Sequence, residues 1–406
     1  MRWSHSALPM LAFTAIVAAG SASANVVEDW NKTAVDLVIA AKWSGIRGTR
    51  AMAIVQAAVF DAVNSIEHRF KPYAYRASAP SGASAVAAAS EAAFRVLVTL
   101  APDQATSLSA KNEDVLAAVT DPSSRAAGIE TGDAAAMAVL ADRENDGFDE
   151  IIDPAPPPGG PGAYQATSPG PMFPQHFPKM RPFGLGSSAE FRLPPPPPLD
   201  SAQFIRDLEE VREKGDARNS PTPEHLAVAR FHARPGYTAW NDIARQAASA
   251  HDLDLLTTAR DLALLNFALS DAFEASFDSK NAYQFWRPQT AIQSGGSAFG
   301  HPEISADPQW TSIILAPLFA EYPCMHCAIG SAADAVLETL SLDGQSFTIV
   351  GGGGQSRSFR SFREYAEEEA ESRILGGVHY RWSVVAGEAQ GKSVAGEDLK
   401  LLGPVQ

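Results

Sequence analysis

The sequence predicts an all-α protein, a helical bundle interrupted by one long proline-rich loop. Three observations carry that expectation. Apolar residues recur at helical spacing through most of the chain, and alternation with a period of two is scarce. The main departure is a stretch over residues 152–200, where PAPPPGGPGAYQ, PGPMFPQHFPKMRPFGLG and LPPPPP cannot form regular helix. The chain has 406 residues, 45% hydrophobic and 19% charged, enough to bury a large core in one sizeable domain or two packed halves, here 25–200 and 201–406.

Residues 1–24, MRWSHSALPMLAFTAIVAAGSASA, read as a secretory signal: Arg2 is the basic start, Leu8 to Ala19 the apolar run, and Ala22-Ser23-Ala24 a small-x-small cleavage site. That run is short for a membrane span, and no later stretch is apolar for the roughly 20 residues a spanning helix needs. The expectation is an exported protein, periplasmic or secreted, with no membrane span after cleavage.

Residues 25–150 read as alanine-rich helices. Arg50 to Ile66 sets Ile54, Ala58, Asp61 and Ser65 along one edge, with Val55, Val59 and Val63 beside it. SAVAAASEAAFRVLVTL ends before Pro102, and a third helix is expected from about Arg125 to Arg143. In the proline-rich stretch, interleaved Phe173, Phe177, Phe183 and Phe191 suit an extended loop packed on the domain, against the alternative of a disordered linker. Such a loop could wall a pocket, with Lys179 and Arg181 facing it. Helices resume at Ser201, and Thr222 with Pro223 forms a helix start. Leu255 to Lys280 is a long apolar-periodic run; Gly351 to Gly354 form a flexible connector; REYAEEEAESR reads as the solvated face of a helix leading to Arg373; and HYRWSVVAGEAQGKSVA is the final helix.

The net charge of −15 argues against a nucleic-acid partner and requires any anion site to be a local basic pocket. The two cysteines, Cys324 and Cys327, would form a disulfide in an oxidising compartment. A Cys-x-x-Cys at a helix start also hints weakly at redox chemistry, and a zinc site would need more ligands.

Three stretches in the last third concentrate chemistry: KNAYQFWRP, YPCMHC and SRILGGVHYRWS. Lys280 and Arg287 lie seven apart, two helical turns, and Pro288 pushes Arg287 out of helical geometry. Alone, such a pair is ordinary surface charge. Pro323 precedes a turn feeding a helix whose free N–H groups favour an anion, with His326 in its first turn. Gly376-Gly377 separates Arg373, ending one helix, from His379, beginning the next. Three cations and two imidazoles suit a compact oxyanion such as phosphate or vanadate.

These stretches resemble the three-part signature of vanadium-dependent haloperoxidases and type 2 phosphatidic acid phosphatases: K-x6-R-P, P-S-G-H and S-R-x5-H-x3-D. Lys280 to Pro288 matches the first part, and Ser372, Arg373 and His379 match the third. Weaker similarity in AVFDAVN, FALSDA and RPFGL extends over most of the chain and looks like the soluble bacterial haloperoxidase-like branch. The resemblance implies the helical bundle of that superfamily. It implies His379 as vanadate ligand or phosphate-ester nucleophile, His326 as general acid/base, and Lys280, Arg287 and Arg373 around the oxyanion. Cys324 and Met325 would supply the side chain and N–H that family members take from Ser and Gly, with Trp286, Ser372 and Ser383 behind them.

Three departures stand out: Cys324 for Ser, Met325 for Gly, and Ser383 for the Asp that backs the ligand histidine. The leading expectation is a vanadate-dependent haloperoxidase acting on hydrogen peroxide and halide, its aromatic Phe285-Trp286 favouring this over soluble acid phosphatases. A phosphatase on phosphate monoesters, with phosphate in the same site, is the alternative; an inactive oxyanion-binding relative is the third. Homo-oligomerisation stays open.

Overall fold

The computed structural model describes residues 21–43, 45–150, 158–170, 179–219, 222–340, 342 and 344–405. Among them are thirteen α-helices and one two-stranded hairpin. Residues 1–20 of the expected signal, and Phe173 and Phe177 of the proline-rich stretch, lie outside the described residues.

The N-terminal helices are α1 (Ser21–Ala40), α2 (Gly45–Glu67), α3 (Ala85–Leu100), α4 (Ala105–Ala118) and α5 (Pro122–Arg143). Ser84 caps α3 through the Ala87 N–H, and Asp121 caps α5 through those of Ser123 and Ser124. Then follow α6 (Ala202–Lys214), α7 (Pro223–Phe231), α8 (Gly236–Ala250) and α9 (Leu255–Tyr283). Thr222 caps α7 with Pro223 at its first position, as the sequence predicts. The last third holds α10 (Pro288–Ser294), α11 (Met325–Thr339), β1 (Phe347–Val350), β2 (Ser356–Phe359), α12 (Phe362–Leu375) and α13 (Arg381–Asp398).

α9 is the axis. It is buried on nearly every side from Leu255 to Lys280, the signature of a helix wrapped by others. α2 packs along it, with α11 and α13 against its C-terminal half. Small residues permit the close approach of α11 and α13: a Cβ at Gly391 would stand 2.0 Å from the Ala328 carbonyl oxygen. One apolar core runs from Val26 to Leu402 and includes residues of both halves. A second cluster, built on Phe204, Phe285, Trp286, Tyr380 and Trp382, lies under the residues that precede Arg287.

The described parts of the proline-rich stretch are extended and packed on the helices, with Phe183 and Tyr164 buried. Lys179 is exposed, and Arg181 pairs with Asp142 at 2.9 Å on the surface; neither is turned to the basic site, which corrects that expectation. Gly351 to Gly354 are the turn of the β1–β2 hairpin rather than a loose connector. Gly351 lies so close on Phe231 that a Cβ would meet its ring at 2.2 Å. The hairpin thereby braces the segment after α7.

Candidate oxyanion site

Lys280 projects from the last turn of α9 and is 1% exposed. Its Nζ donates to the carbonyls of Ala320 (3.1 Å), Glu321 (2.7 Å) and Pro323. The lysine thus gathers the loop that leads into α11. α9 ends at Tyr283, where Gln284 turns left-handed, so Lys280 and Arg287 do not share a helix face. A chain reversal joins them instead. Pro288 starts α10 and holds Arg287 extended, at φ −76° and ψ 154°. Arg287 is fully buried. Its Nε donates to the Phe319 carbonyl (3.1 Å) and Nη1 to the Val378 carbonyl (2.9 Å). Both cations also lie over the Phe319 ring.

Arg373 stands in the last turn of α12 and donates from Nη1 to the His232 carbonyl at 3.2 Å. His379 falls in the linker between α12 and α13, not in a helix as expected. Its Nε2 meets Arg287 Nη1 at 3.1 Å and its Nδ1 meets Glu321 Oε1 at 2.7 Å. A guanidinium can only donate, so Nε2 is the acceptor and Nδ1 carries the proton, which it donates to Glu321. His326, half-buried in the first turn of α11, contacts the Arg234 carbonyl through Nε2 at 3.2 Å, which fixes the proton on Nε2 and leaves Nδ1 as acceptor.

These groups form one electrostatic unit. Burial pushes His379 well below the ordinary histidine range, and the charges of Arg287, Lys280, Arg373 and His326 add to it. Burial, then Arg373, does the same to His326. Lys280 is driven well below the usual lysine range by burial and Arg287, against Glu321. Burial brings Arg287 and Arg373 down to about 10, opposed by Glu321 and Glu369 respectively. Glu321, itself fully buried, rises to about 7 through burial, held back by Lys280 and Arg287. Five basic groups thus face two buried carboxylates, Glu321 beside Arg287 and Glu369 beside Arg373. Among the described residues, Arg287 Nη2 and Arg373 Nε have no partner. Two orphaned, buried cationic donors are the mark of a site built for an anion.

Glu321 is the functional residue that the sequence reading missed. The signal was a lone carboxylate, three residues ahead of Cys324, inside the apolar run LAPLFAEYPC. It restores, from another loop, the carboxylate that Ser383 removes. The His379 ring pairs with Glu321, and the buried Ser383 hydroxyl has no partner among the described residues. Cys324 and Cys327 are joined in a disulfide, and the Cys324 sulfur accepts from the Cys327 N–H at 3.3 Å. Cys324 therefore has no S–H to give an anion, which corrects its expected donor role. Met325 opens α11 with helical backbone, so its N–H is among those without an intrahelical acceptor. Ser372 turns its hydroxyl to the Glu369 carbonyl (2.6 Å), and Trp286 packs edge-on against Phe285 and Phe299.

Residues 260–402, which hold all of this cup except the His232 and Arg234 carbonyls, match the family model of the VCPO second helical-bundle domain. The crystal structure of the first bacterial vanadium-dependent iodoperoxidase superposes with a TM-score of 0.81 at 25% identity, covering 94% of this chain and 97% of that one. Over residues 260–402 and in its fold, the chain resembles the vanadium haloperoxidase-like superfamily. A holo-type bacterial vanadium-dependent chloroperoxidase shares the superfamily fold with a TM-score of 0.69 at 18% identity, over 87% of this chain and 91% of that one. A search among curated proteins finds no match. Among the described residues no helix is long and apolar enough to cross a membrane, unlike what a membrane-embedded member of the superfamily would require.

Proposed function

We propose that this chain is a vanadate-dependent haloperoxidase that oxidises halide with hydrogen peroxide. The observation that carries it is the state of His379: Nδ1–H is committed to Glu321, and the Nε2 lone pair faces Arg287. His379, neutral at Nε2, would offer that lone pair to a vanadium centre. The residues fit the group. Lys280, Arg287 and Arg373 would neutralise its oxygens, the two orphaned donors would find acceptors, and the N-terminus of α11 would add backbone N–H groups. Bound vanadate supplies the Lewis-acid centre at which peroxide is activated toward halide. Glu321 orients His379, and His326, neutral with an open Nδ1, accepts a proton beside the anion. The test is halogenation of a phenol dye with peroxide and iodide, bromide or chloride, before and after loading metal-stripped protein with vanadate. Turnover should appear on loading; its absence at every pH defeats the reading.

One observation favours a second reading. The His379–Glu321 pair supplies the carboxylate partner that a phosphohistidine would need, so Ser383 no longer counts against a phosphatase. Aryl phosphate hydrolysis inhibited by vanadate, without halogenation, would select it. Export is proposed on the N-terminal pattern around Leu8 to Ala19, and the Cys324–Cys327 disulfide suits an oxidising compartment. A mature chain from native cells should begin at Asn25; retention of Met1 refutes the cleavage.

A further inference from the structure

A short strap from the proline-rich stretch pairs with the chain segment just ahead of Arg287. Ala163 pairs antiparallel with Phe285. The Tyr164 N–H donates to the Gln284 carbonyl at 2.7 Å, and the Trp286 N–H donates to the Gly162 carbonyl at 2.9 Å. The strap is therefore pinned by backbone on both sides of its bridge, within three residues of Arg287. Gly162 makes the turn into it at φ +86°.

Tyr164 is 3% exposed, and its hydroxyl has no partner among the described residues. A buried phenol almost always bonds something, because leaving a buried hydroxyl unpaired is costly. The nearby charge is Arg287, and the two groups act on each other electrostatically. Arg287 Nη2 is itself an orphaned donor. A phenol oxygen can accept from a guanidinium, yet these two do not bond. Both groups are buried and unpartnered, and the strap sets Tyr164 on the segment that leads into Arg287, so a shared anion would satisfy both. Burial raises the phenol above its usual range, so it keeps its proton and acts as a donor.

We propose that the Tyr164 hydroxyl is a direct hydrogen-bond donor to the oxyanion held by Arg287 and His379, an anion contact delivered by the proline-rich strap. The inference rests on the oxyanion reading of the cup and extends its ligand set beyond the three signature stretches. The strap then does more than wall the site: it completes it.

The experiment measures binding of orthovanadate and of inorganic phosphate to wild-type protein and to Tyr164→Phe by calorimetry, with thermal melts of each with and without anion. The variant keeps the ring and loses only the hydroxyl. Loss of a hydrogen bond to a charged group predicts an orthovanadate Kd raised about tenfold to a hundredfold. The anion-induced melting shift should shrink, while the melting temperature without anion stays near wild type. Wild-type binding with equal affinity in Tyr164→Phe overturns the proposal. A lower melting temperature without anion, at unchanged anion affinity, also overturns it, because the hydroxyl is then structural. If wild type binds neither anion, the oxyanion reading falls first and takes the proposal with it.

Discussion

Helix α9 carries two buried charge clusters of opposite sign, and they are resolved differently. Toward its middle lie Asp271 and Glu274, which meet Asp398 of α13, all fully buried. Near its end lies Lys280, with the cationic cup. In the acidic cluster, Asp271 accepts from the N–H groups of Phe183 (2.8 Å), Gly184 (2.7 Å) and Leu185 (3.3 Å). Burial, then the Asp271 charge, lifts Asp398 well above the carboxylate range, so Asp398 holds a proton beside Asp271. Glu274, lifted by burial and Asp271, accepts from the Ser188 hydroxyl at 3.3 Å. Among the described residues no group of acidic, His or Cys side chains is arranged to hold a metal ion. The acidic cluster discharges itself with protons and stitches the RPFGL segment to α9 and α13. The cup instead keeps cations with donors left over. Glu274 Oε1 and both Asp398 oxygens also lack a partner among the described residues, so what separates the clusters is that buried acids can lose their charge by binding protons, whereas guanidiniums keep theirs and call for an anion.

The widest separation should come from removing one cup cation. Arg373→Gln is expected to cut vanadate-dependent turnover by about 10²–10³-fold, as loss of one preorganised donor does. Because burial already disfavours its charge, the anion-free protein should melt no lower than wild type. A fall in both would make Arg373 a scaffold residue and erase the distinction.

Glu321→Gln should lower vanadate affinity or turnover by about 10–100-fold, the usual cost of losing a metal ligand's outer partner. Adding Ser383→Asp, which returns the carboxylate to the position other superfamily members use, should recover part of that loss in the same assay. No recovery would mean that the carboxylate's origin matters as well as its charge.

Opening the short disulfide loop with Cys324→Ser and Cys327→Ala should cost about 2 kcal/mol in urea melts on chain-entropy grounds. The new hydroxyl should strengthen anion binding, since Cys324 now offers no hydrogen. Unchanged or weaker binding would place residue 324 outside the anion's reach.

The smallest effect belongs to the acidic cluster. Folded Asp398 binds its proton more tightly than the unfolded chain, whose value is near 3.8. Its contribution is therefore complete below that value and declines as pH rises toward the folded one. Asp398→Asn should gain on the order of 1 kcal/mol at pH 8 and nothing near pH 3, with turnover unchanged. A loss of turnover would tie this cluster to the chemistry.

Much of this was legible in sequence, and the exceptions have a common cause. Helix starts such as Ser84 and Thr222 and the extended Arg287 follow from local rules that residues impose on their neighbours. The AVFDAVN similarity resolves within a short span, Asp61 accepting from the N–H groups of Tyr73, Ala74 and Tyr75, whereas RPFGL is held by Asp271 from 88 positions away. What failed required knowledge of long-range closure. The seven-residue spacing of Lys280 and Arg287 suggested one helix face, but α9 stops at Tyr283 and a reversal brings them together. Glu321 and His379 are 58 positions apart, and no local pattern ties a carboxylate in one loop to an imidazole in another. Arg181 looked available until Asp142, near the end of α5, claimed it.

The Cys324–Cys327 bridge has one further consequence. On the proposed reading, hypohalous acid would meet the protein's own sulfur at the instant of release. Thiolates are consumed first by such electrophiles, climbing to sulfinic and sulfonic acids that cells do not reverse. Here both sulfurs beside the anion cup are already spent on each other. The thioether of Met325 is left as the oxidisable atom in that turn, and its sulfoxide is the repairable kind of damage.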